Sequence, residues 1–315
     1  MSIIKEIELD GFKALNISND FISITTIPSL GGKIVSVEDK KSGFDFTFKN
    51  PHIKNYSCKY ASDFSNSSAS GIDECFPTVA LSKYTEYPWE NIEIPDHGEI
   101  WSQEMETEVI GKTIVQKAHG VRFPYIFNRA INLEDNSLFL NYRVENLSNF
   151  DFKYAWSIHP HFILLENTEI HMENGTDIFV DFTKTNDFQL KTLKYKWPIL
   201  ETGDNKSIDF SKITAIDNGQ AEKLYACNLK EGRVKLCYPD QKESITFKFN
   251  SELLSYCGIW IDHGGWPFND NPYKVLAIEP CNCITDRFED SVARRAFDVV
   301  KAKSYKEWKL DLIIE

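Results

Sequence analysis

Residues 137–145 read Ser-Leu-Phe-Leu-Asn-Tyr-Arg-Val-Glu, and this stretch decides the fold class. Its residues divide between the two faces of an extended chain, with apolar Leu138, Leu140, Tyr142 and Val144 on one face and polar Asn141, Arg143 and Glu145 on the other. Such alternation is typical of a β-strand that turns one face to the core and the other to water. The stretch therefore predicts an antiparallel sheet with one solvated face.

The same period of two recurs along the chain, at residues 21–27, 234–238, 245–249 and 308–314. Long helical periodicity is scarce. Asp286 and Glu289 have the spacing of a capping box, which predicts a short helix over residues 291–296. We therefore expect an all-β protein, mainly a large antiparallel β-sandwich with few short helices.

The domain organisation follows from what separates the strands. Turn residues punctuate the chain, but no Pro/Gly/Ser-rich linker and no repeat of fixed period divides it. We predict a single domain over residues 1–315. Residues 63–70, Asp-Phe-Ser-Asn-Ser-Ser-Ala-Ser, are the most loop-like segment and predict a surface loop.

The charge of the chain limits its partners. The 47 acidic residues outnumber the 35 Lys and Arg, which gives a net charge of −12. This balance argues against binding to nucleic acid or to an anionic membrane surface, both of which need a basic face. The N-terminal stretch lacks the apolar run of a signal peptide, no 18-residue apolar run occurs, and the seven Cys follow no disulfide framework. A cytoplasmic location with reduced thiols is expected.

Two segments bring His residues together with features of a binding site. Residues 95–101 read Pro-Asp-His-Gly-Glu-Ile-Trp, where His97 beside a glycine suits a loop that approaches a ligand; the alternative is a turn with a solvated His. Residues 155–162 read Ala-Trp-Ser-Ile-His-Pro-His-Phe and predict the return strand of a hairpin with residues 138–144. His159 and His161 then share one face of that strand.

The pair of His residues allows a metal interpretation. His159, His161 and Glu166 have the spacing of the first metal motif of a cupin, although the glycines of that motif are missing. The alternative is one inward His and one at an irregular strand end.

Two further segments carry apolar strands into polar ends. Residues 257–267 run into Asp262 and a Gly-rich end between Trp260 and Trp266; the alternative is a plain hairpin with core Trp residues. Residues 275–283 place Glu279 at the end of a buried run, where a carboxylate must be neutralised, paired or used. Cys281 and Cys283 lack the second pair of ligands that a zinc site needs.

Together these segments resemble the aldose 1-epimerase (galactose mutarotase) family over nearly the whole chain. The similar motifs are, in order, IPSLGGKIVSVEDKKSG, SGIDECFPTV, PDHGEIW, WSIHPHF and LAIEPCNCITD. The resemblance implies a β-supersandwich of the galactose mutarotase type and interconversion of the α and β anomers of a free aldose. It implies Glu279 as general base, His159 as general acid and His97 as a sugar-binding residue.

Further site residues are expected on the same basis. Asp262 and Glu74 are candidates for binding the sugar, and Trp101, Trp260 and Trp266 are candidates for stacking on its apolar face. The reaction needs only a proton acceptor and a proton donor on either side of one carbon, so no cofactor and no metal are expected.

Several alternatives remain open. The family's early Arg that contacts the sugar is missing from residues 70–79, which leaves the aldose unspecified. A neutral hexose is favoured over a hexose 6-phosphate by the acidic balance. The other possibilities are a non-catalytic carbohydrate-binding or sensing protein and the cupin-like metal enzyme. The oligomeric state, monomer or homodimer, and the roles of His161, His263, Cys281 and Cys283 also stay open.

Overall fold

The computed structural model describes residues 2–51, 58–67, 69–184, 192–203, 206–267 and 272–315. Its strands, in chain order, are β1 Ile3–Leu9, β2 Phe12–Ser18, β3 Ile22–Ile27, β4 Lys33–Asp39, β5 Gly71–Cys75, β6 Ser82–Lys83, β7 Glu93–Ile94, β8 Glu106–Ile110, β9 Thr113–His119, β10 Tyr125–Glu134, β11 Ser137–Asn146, β12 Phe152–Tyr154, β13 Ser157–Ile163, β14 Glu169–His171, β15 Asp177–Lys184, β16 Lys194–Lys196, β17 Ile199–Glu201, β18 Ser207–Asp209, β19 Ala221–Cys227, β20 Arg233–Tyr238, β21 Glu243–Phe249, β22 Tyr256–Trp266, β23 Tyr273–Cys281, β24 Asp298–Val300 and β25 Tyr305–Ile314. The one α-helix in these ranges is α1, Phe288–Ala293, and short 3-10 helices cover Pro28–Leu30 and Phe64–Asn66.

Two large antiparallel sheets dominate the described residues. The larger has 13 strands in the order β1-β2-β3-β4-β5-β13-β23-β22-β19-β15-β16-β17-β18. The smaller has eight strands in the order β14-β20-β21-β25-β11-β10-β9-β8. The predicted all-β sandwich is confirmed, and all five stretches with a period of two are strands.

The predicted hairpin between residues 138–144 and the strand at His159 is wrong. β11 instead pairs with β10 and β25 in the smaller sheet. β13 pairs with β5 and β23 in the larger sheet. Between them, β12 pairs with β24 outside both large sheets, so the chain passes from one layer of the sandwich to the other. Alternation marks a strand but does not name its neighbour.

The predicted capping box is also wrong. Helix α1 begins after Arg287, which makes no side-chain capping hydrogen bond. The carboxylate of Asp286 instead accepts a hydrogen bond from the Tyr225 hydroxyl at 2.5 Å. Tyr225, which belongs to the distant strand β19, therefore binds the carboxylate that was expected to cap the helix. In the described part of the chain, no helix is long and apolar enough to cross a membrane.

The apolar core lies between the two sheets. Ile158 and Phe162 of β13 are completely buried, and the ring centroid of Phe162 lies 5.8 Å from that of Phe247 on β21. Because side chains alternate along a strand, Ser157, His159 and His161 point to the other face of the larger sheet. That outer face carries the candidate site.

An ion pair joins the two sheets inside the core. Arg129 of β10 and Glu74 of β5 are both fully buried, and Arg129 Nη1 lies 2.8 Å from Glu74 Oε1. Arg129 also donates to Gln116 Oε1 and to the carbonyl of Gly32. Glu74 accepts further hydrogen bonds from the Tyr142 hydroxyl and Trp156 Nε1, each at 3.0 Å. Burial raises the pKa of Glu74, and the Arg129 charge opposes that rise.

Replacing Glu74 by Gln is expected to destabilise the protein strongly, because Arg129 would then be a buried charge without its counter-ion. The loss in the free energy of unfolding should be about 3–5 kcal/mol. Urea unfolding followed by circular dichroism measures it. As a control, Lys301→Ala removes the exposed pair with Asp151 and should cost less than about 1 kcal/mol. Equal losses in the two variants would contradict the structural role of the pair.

Candidate functional site

The site is built on the outer face of the larger sheet, where five neighbouring strands run in the order β5-β13-β23-β22-β19. Each strand places side chains with polar or ionisable groups on this face. In strand order they are Asp73 and Cys75 of β5, His159 and His161 of β13, Glu279 of β23, Asp262 of β22, and Lys223 of β19. His159 lies opposite Asp73 in the pairing of β13 with β5. These groups are far apart in the sequence and are gathered only by strand order.

Above these strands lies a cleft of about 580 Å³, a size within the range for small-molecule sites. Its apolar wall is formed by Phe64, Val79, Ala80, Phe182, Trp260, Trp266 and Tyr273. Its polar wall is formed by Asp63, Ser65, Asp96, His97, His159, His161, Asp181, Lys223, Thr285, Asp286, Arg287 and Asp290. A mixed wall of rings and carboxylates suits a ligand with both apolar and hydroxylated faces.

A strained turn delivers His97 to the cleft. His97 and Gly98 both have positive φ, +58° and +75°. A Cβ atom on Gly98 would lie 2.1 Å from the carbonyl oxygen of Phe76, so only glycine fits there. Trp101 Nε1 donates to the Asp96 carbonyl at 2.9 Å and closes the turn. The predicted ligand-binding loop at residues 95–101 therefore does border a cleft.

The Phe64 ring packs against two His residues of the site. Its ring stacks on His97 with centroids 3.9 Å apart and lies edge-on to His159 at 5.2 Å. Phe64 is buried and belongs to the segment expected to be a surface loop. That expectation is wrong for Phe64, Ser67, Ala69 and Ser70, which are all buried, whereas Asp63 is exposed as expected.

His159 and Glu279 face each other on adjacent strands, with His159 Nε2 3.9 Å from Glu279 Oε1. Glu279 is completely buried and His159 is only 6% exposed. Burial, with smaller contributions from the nearby His161, His97 and Lys223, holds the pKa of His159 well below its usual range. The imidazole of His159 therefore favours its neutral form.

His97 has the opposite electrostatic setting. Burial lowers its pKa, but the charge of Asp96 and its hydrogen bond to His97 Nδ1, at 3.1 Å, more than offset this and leave the pKa raised. The ring centroids of His97 and His159 are 4.8 Å apart. Of the two imidazoles, His97 therefore binds a proton more readily.

Glu279 has a partner that the sequence did not suggest. Lys223 Nζ of β19 lies 2.5 Å from Glu279 Oε2 and 3.5 Å from Asp286 Oδ1. Lys223 is only 4% exposed, as part of the strand Ala-Glu-Lys-Leu-Tyr-Ala-Cys. A charged Glu-Lys pair inside a short, otherwise apolar strand was the available signal for it, since buried charges need partners.

The other predicted site residues divide by position. Trp260 and Trp266 line the cleft. Asp262 lies behind its wall: its Oδ1 accepts the N–H groups of Gly265 and Trp266 at 2.7 and 3.1 Å and so holds Trp266 in place. Burial raises the pKa of Asp262 to about 7, although those two hydrogen bonds act to lower it.

Glu74 and Trp101 are not on the cleft wall. Glu74 points into the core, where Arg129 holds it, because it alternates with Asp73 and Cys75 along β5. Trp101 is 3% exposed and packs beneath Phe64, with centroids 5.0 Å apart. We therefore assign structural roles to Glu74 and Trp101 instead of the predicted contacts with a sugar.

The cupin-like interpretation is not supported by the geometry. Glu166 lies in an exposed turn beyond the end of β13, away from His159. Among the described residues, the potential ligand atoms that cluster belong to Cys75, His97 and His159, all within 4.8 Å of one another. Zinc bonds of about 2.0–2.3 Å need ligand atoms closer together than that, so we do not identify these three as metal ligands.

Comparison with known proteins identifies the fold but does not identify the activity. Residues 5–130 match a family model described as a domain of unknown function, DUF5107. No curated protein matches the chain.

Among solved structures, the chain is similar to the Slr1438 protein from Synechocystis sp. PCC 6803, with a TM-score of 0.69, 15% identity, and coverage of 99% of this chain and 96% of the other. It is similar to a galactose mutarotase-like protein from Clostridium acetobutylicum, with a TM-score of 0.66, 16% identity, and coverage of 99% and 98%. It is also similar to a galactose mutarotase related enzyme from Lactobacillus acidophilus, with a TM-score of 0.63, 17% identity, and coverage of 99% and 97%. At such identities the likeness shows a galactose mutarotase-like fold.

Gly98→Ala is expected to destabilise the protein and displace His97, because a methyl group cannot fit against Phe76. Gly43→Ala is the matched control: its φ of +76° is nearly the same, but nothing lies within 4 Å of the added atom. The control should lose only the backbone strain of about 1–2 kcal/mol. Urea unfolding of both variants gives the comparison, and equal losses would show that the close approach to Phe76 is unimportant.

Proposed function

We propose that the protein is a cofactor-independent aldose 1-epimerase that interconverts the α and β anomers of a neutral free hexose. The observation that carries the proposal is the buried pair of Glu279 Oε1 and His159 Nε2, 3.9 Å apart beside a cleft lined by rings and carboxylates. A carboxylate and an imidazole so placed are able to act on the same carbon. The fold shared with galactose mutarotase-like proteins supports the same reaction.

The reaction requires two proton transfers. Glu279 takes the proton of the C1 hydroxyl, the C1–O5 bond breaks as the ring oxygen receives a proton, and an open-chain aldehyde forms. Rotation about C1–C2 presents the other face of the aldehyde, and the reverse transfers close the ring as the other anomer. Each transfer contributes about 10²–10⁴ in rate.

The proton for the ring oxygen is assigned to the His97–His159 pair. Two imidazolium groups this close would repel each other, so the pair favours binding a single proton. Asp96 favours that proton on His97. His159 is the imidazole nearer to Glu279 and offers a neutral N–H to the substrate, while His97 supplies the acid.

The cleft favours a neutral hexose. Five Asp carboxylates line it, at positions 63, 96, 181, 286 and 290, against the side chains of Lys223 and Arg287 and the His97 imidazole. Lys223 is already paired with Glu279. Carboxylates accept hydrogen bonds from sugar hydroxyls and repel a phosphate, and Trp260 and Trp266 offer faces on which a pyranose stacks.

A second candidate is a carbohydrate-binding or sensing protein without catalysis. The observation that favours it is the strongly lowered pKa of His159, which removes the acid that the family resemblance implies. Calorimetry that detects sugar binding while anomers exchange at the buffer rate would establish this alternative.

Glu279→Gln is expected to reduce mutarotation of fresh α-galactose or α-glucose by about 10²–10⁴, because an amide does not accept the C1 proton. Polarimetry measures the rate. The control is Glu222→Gln, the same isosteric change at a neighbouring buried residue outside the cleft wall, whose pKa is raised by burial to about 8. Wild-type protein that leaves every free aldose at the buffer rate would exclude the epimerase, and full activity of Glu279→Gln would exclude Glu279 as the base.

Asp96→Asn tests the acid. His97 must be protonated, so activity is expected to fall as pH rises through the pKa of His97. Loss of the Asp96 charge lowers that pKa, and the descending limb of the pH profile should move to lower pH. Asp63→Asn is the control, because Asp63 lines the same cleft but bonds to Ser65 rather than to His97. A limb that moves equally in both variants would rule out the specific His97–Asp96 interaction.

A further inference from the structure

Lys223 and Glu279 are paired although a whole strand separates them. Glu279 belongs to β23 and Lys223 to β19, and β22 lies between. The residue of β22 directly opposite Glu279 is Gly258. A Cβ atom there would lie 2.8 Å from Glu279 Oε2 and 3.2 Å from Glu279 Cβ. The missing side chain of Gly258 thus leaves the space in which the ammonium group reaches the carboxylate.

The ammonium group is also held from its far side. Asp286 Oδ1 lies 3.5 Å from Lys223 Nζ and accepts a hydrogen bond from the Tyr225 hydroxyl at 2.5 Å. Burial lowers the pKa of Lys223, but Asp286 and Glu279 more than offset this, and its pKa is raised. Lys223 therefore remains an ammonium ion despite its burial and is poorly suited to act as a nucleophile.

The pairing makes the two oxygens of Glu279 different. Lys223 occupies Oε2 at 2.5 Å. Oε1 is buried without a hydrogen-bond partner among the described residues and lies 3.9 Å from His159 Nε2. One oxygen is anchored, and the other is left to accept a proton.

We propose that Lys223, reaching Glu279 across Gly258, is the positioning residue that keeps this carboxylate ionised and directs its Oε1 to the substrate. The inference rests on the proposed function for its kinetic consequence, but the charge pairing itself is independent of any activity. A carboxylate as buried as Glu279 binds a proton unless it is paired, and a protonated Glu279 is no base.

The other titratable groups that face Glu279 do not replace Lys223. They are Cys75 on β5, His159 on β13, Cys257 on β22, Tyr225 on β19, Asp286 after β23, and His97 in its turn. The thiols, the phenol and His159 are neutral, and Asp286 is a like charge. His97 is the other cation, and its charge is already matched by Asp96.

The kinetic test is the pH dependence of mutarotation in Lys223→Met. Without the ammonium group the pKa of Glu279 rises, so the ascending limb of kcat/KM should move to higher pH by at least about one unit, a tenfold loss on that limb. Lys223→Arg keeps the charge and should restore the position of the limb. Gly258→Ala, which crowds Oε2, should lower kcat about tenfold, on the order of one hydrogen bond, with KM nearly unchanged. A limb that stays in place in Lys223→Met would overturn the proposal.

A second arm needs no activity and separates this proposal from the epimerase assignment. Urea unfolding is measured at pH 5 and pH 8 for wild type, Lys223→Met and Lys223→Met/Glu279→Gln. A folded-state pKa of Glu279 above its unfolded value makes stability fall as pH rises. Lys223→Met should therefore lose more stability than wild type between the two pH values, and the double variant should lose this extra dependence. Parallel behaviour of Lys223→Met and wild type would contradict the pairing even if no sugar is a substrate.

Discussion

The buried ion pair between Arg129 and Glu74 is the constraint on which the rest of the structure depends. It joins β10 of the smaller sheet to β5 of the larger one inside the apolar core. A charge there is tolerable only with its partner in place, so β5 has one register. Because side chains alternate along a strand, that register sends Asp73 and Cys75 to the opposite face. His159 is then placed by its pairing with Asp73, and the floor of the cleft follows.

In the cleft, two cationic side chains are paired with carboxylates. Lys223 is matched to Glu279 and Asp286, and His97 is matched to Asp96. These pairs set the proton-binding state of the site: burial raises the pKa of Glu279 while Lys223 opposes it, and Asp96 raises the pKa of His97 while His159 is held neutral. The proposed ring opening needs a carboxylate that accepts a proton and an imidazolium that donates one, and these two charge pairs favour that arrangement.

The strands and several site segments could be predicted from the sequence, because they depend on residues that are close together in the chain. Alternation located five strands correctly, because a strand with one buried face alternates apolar and polar residues along its sequence. The segments around His97, His159, Trp260 and Glu279 were singled out because polar groups end apolar runs there. The structure places His97, His159 and Trp260 on the wall of one cleft and buries Glu279 next to His159. The hairpin partner of β13 and the cap of α1 were wrong because both depended on distant chain: β5 and β23 in the first case, and Tyr225 in the second.

The sequence by itself determined the all-β class, the acidic balance and the residue types able to move protons, because periodicity, charge and side-chain chemistry are local properties. The tertiary structure alone decided which of these residues meet. The register of β5 placed Glu74 in the core, strand order brought Lys223 close to Glu279, and the absence of a side chain at Gly258 made that second contact possible. The physical reason is that pairing between strands remote in the chain is set by the packing of two sheets around one core, and short sequence patterns do not record it.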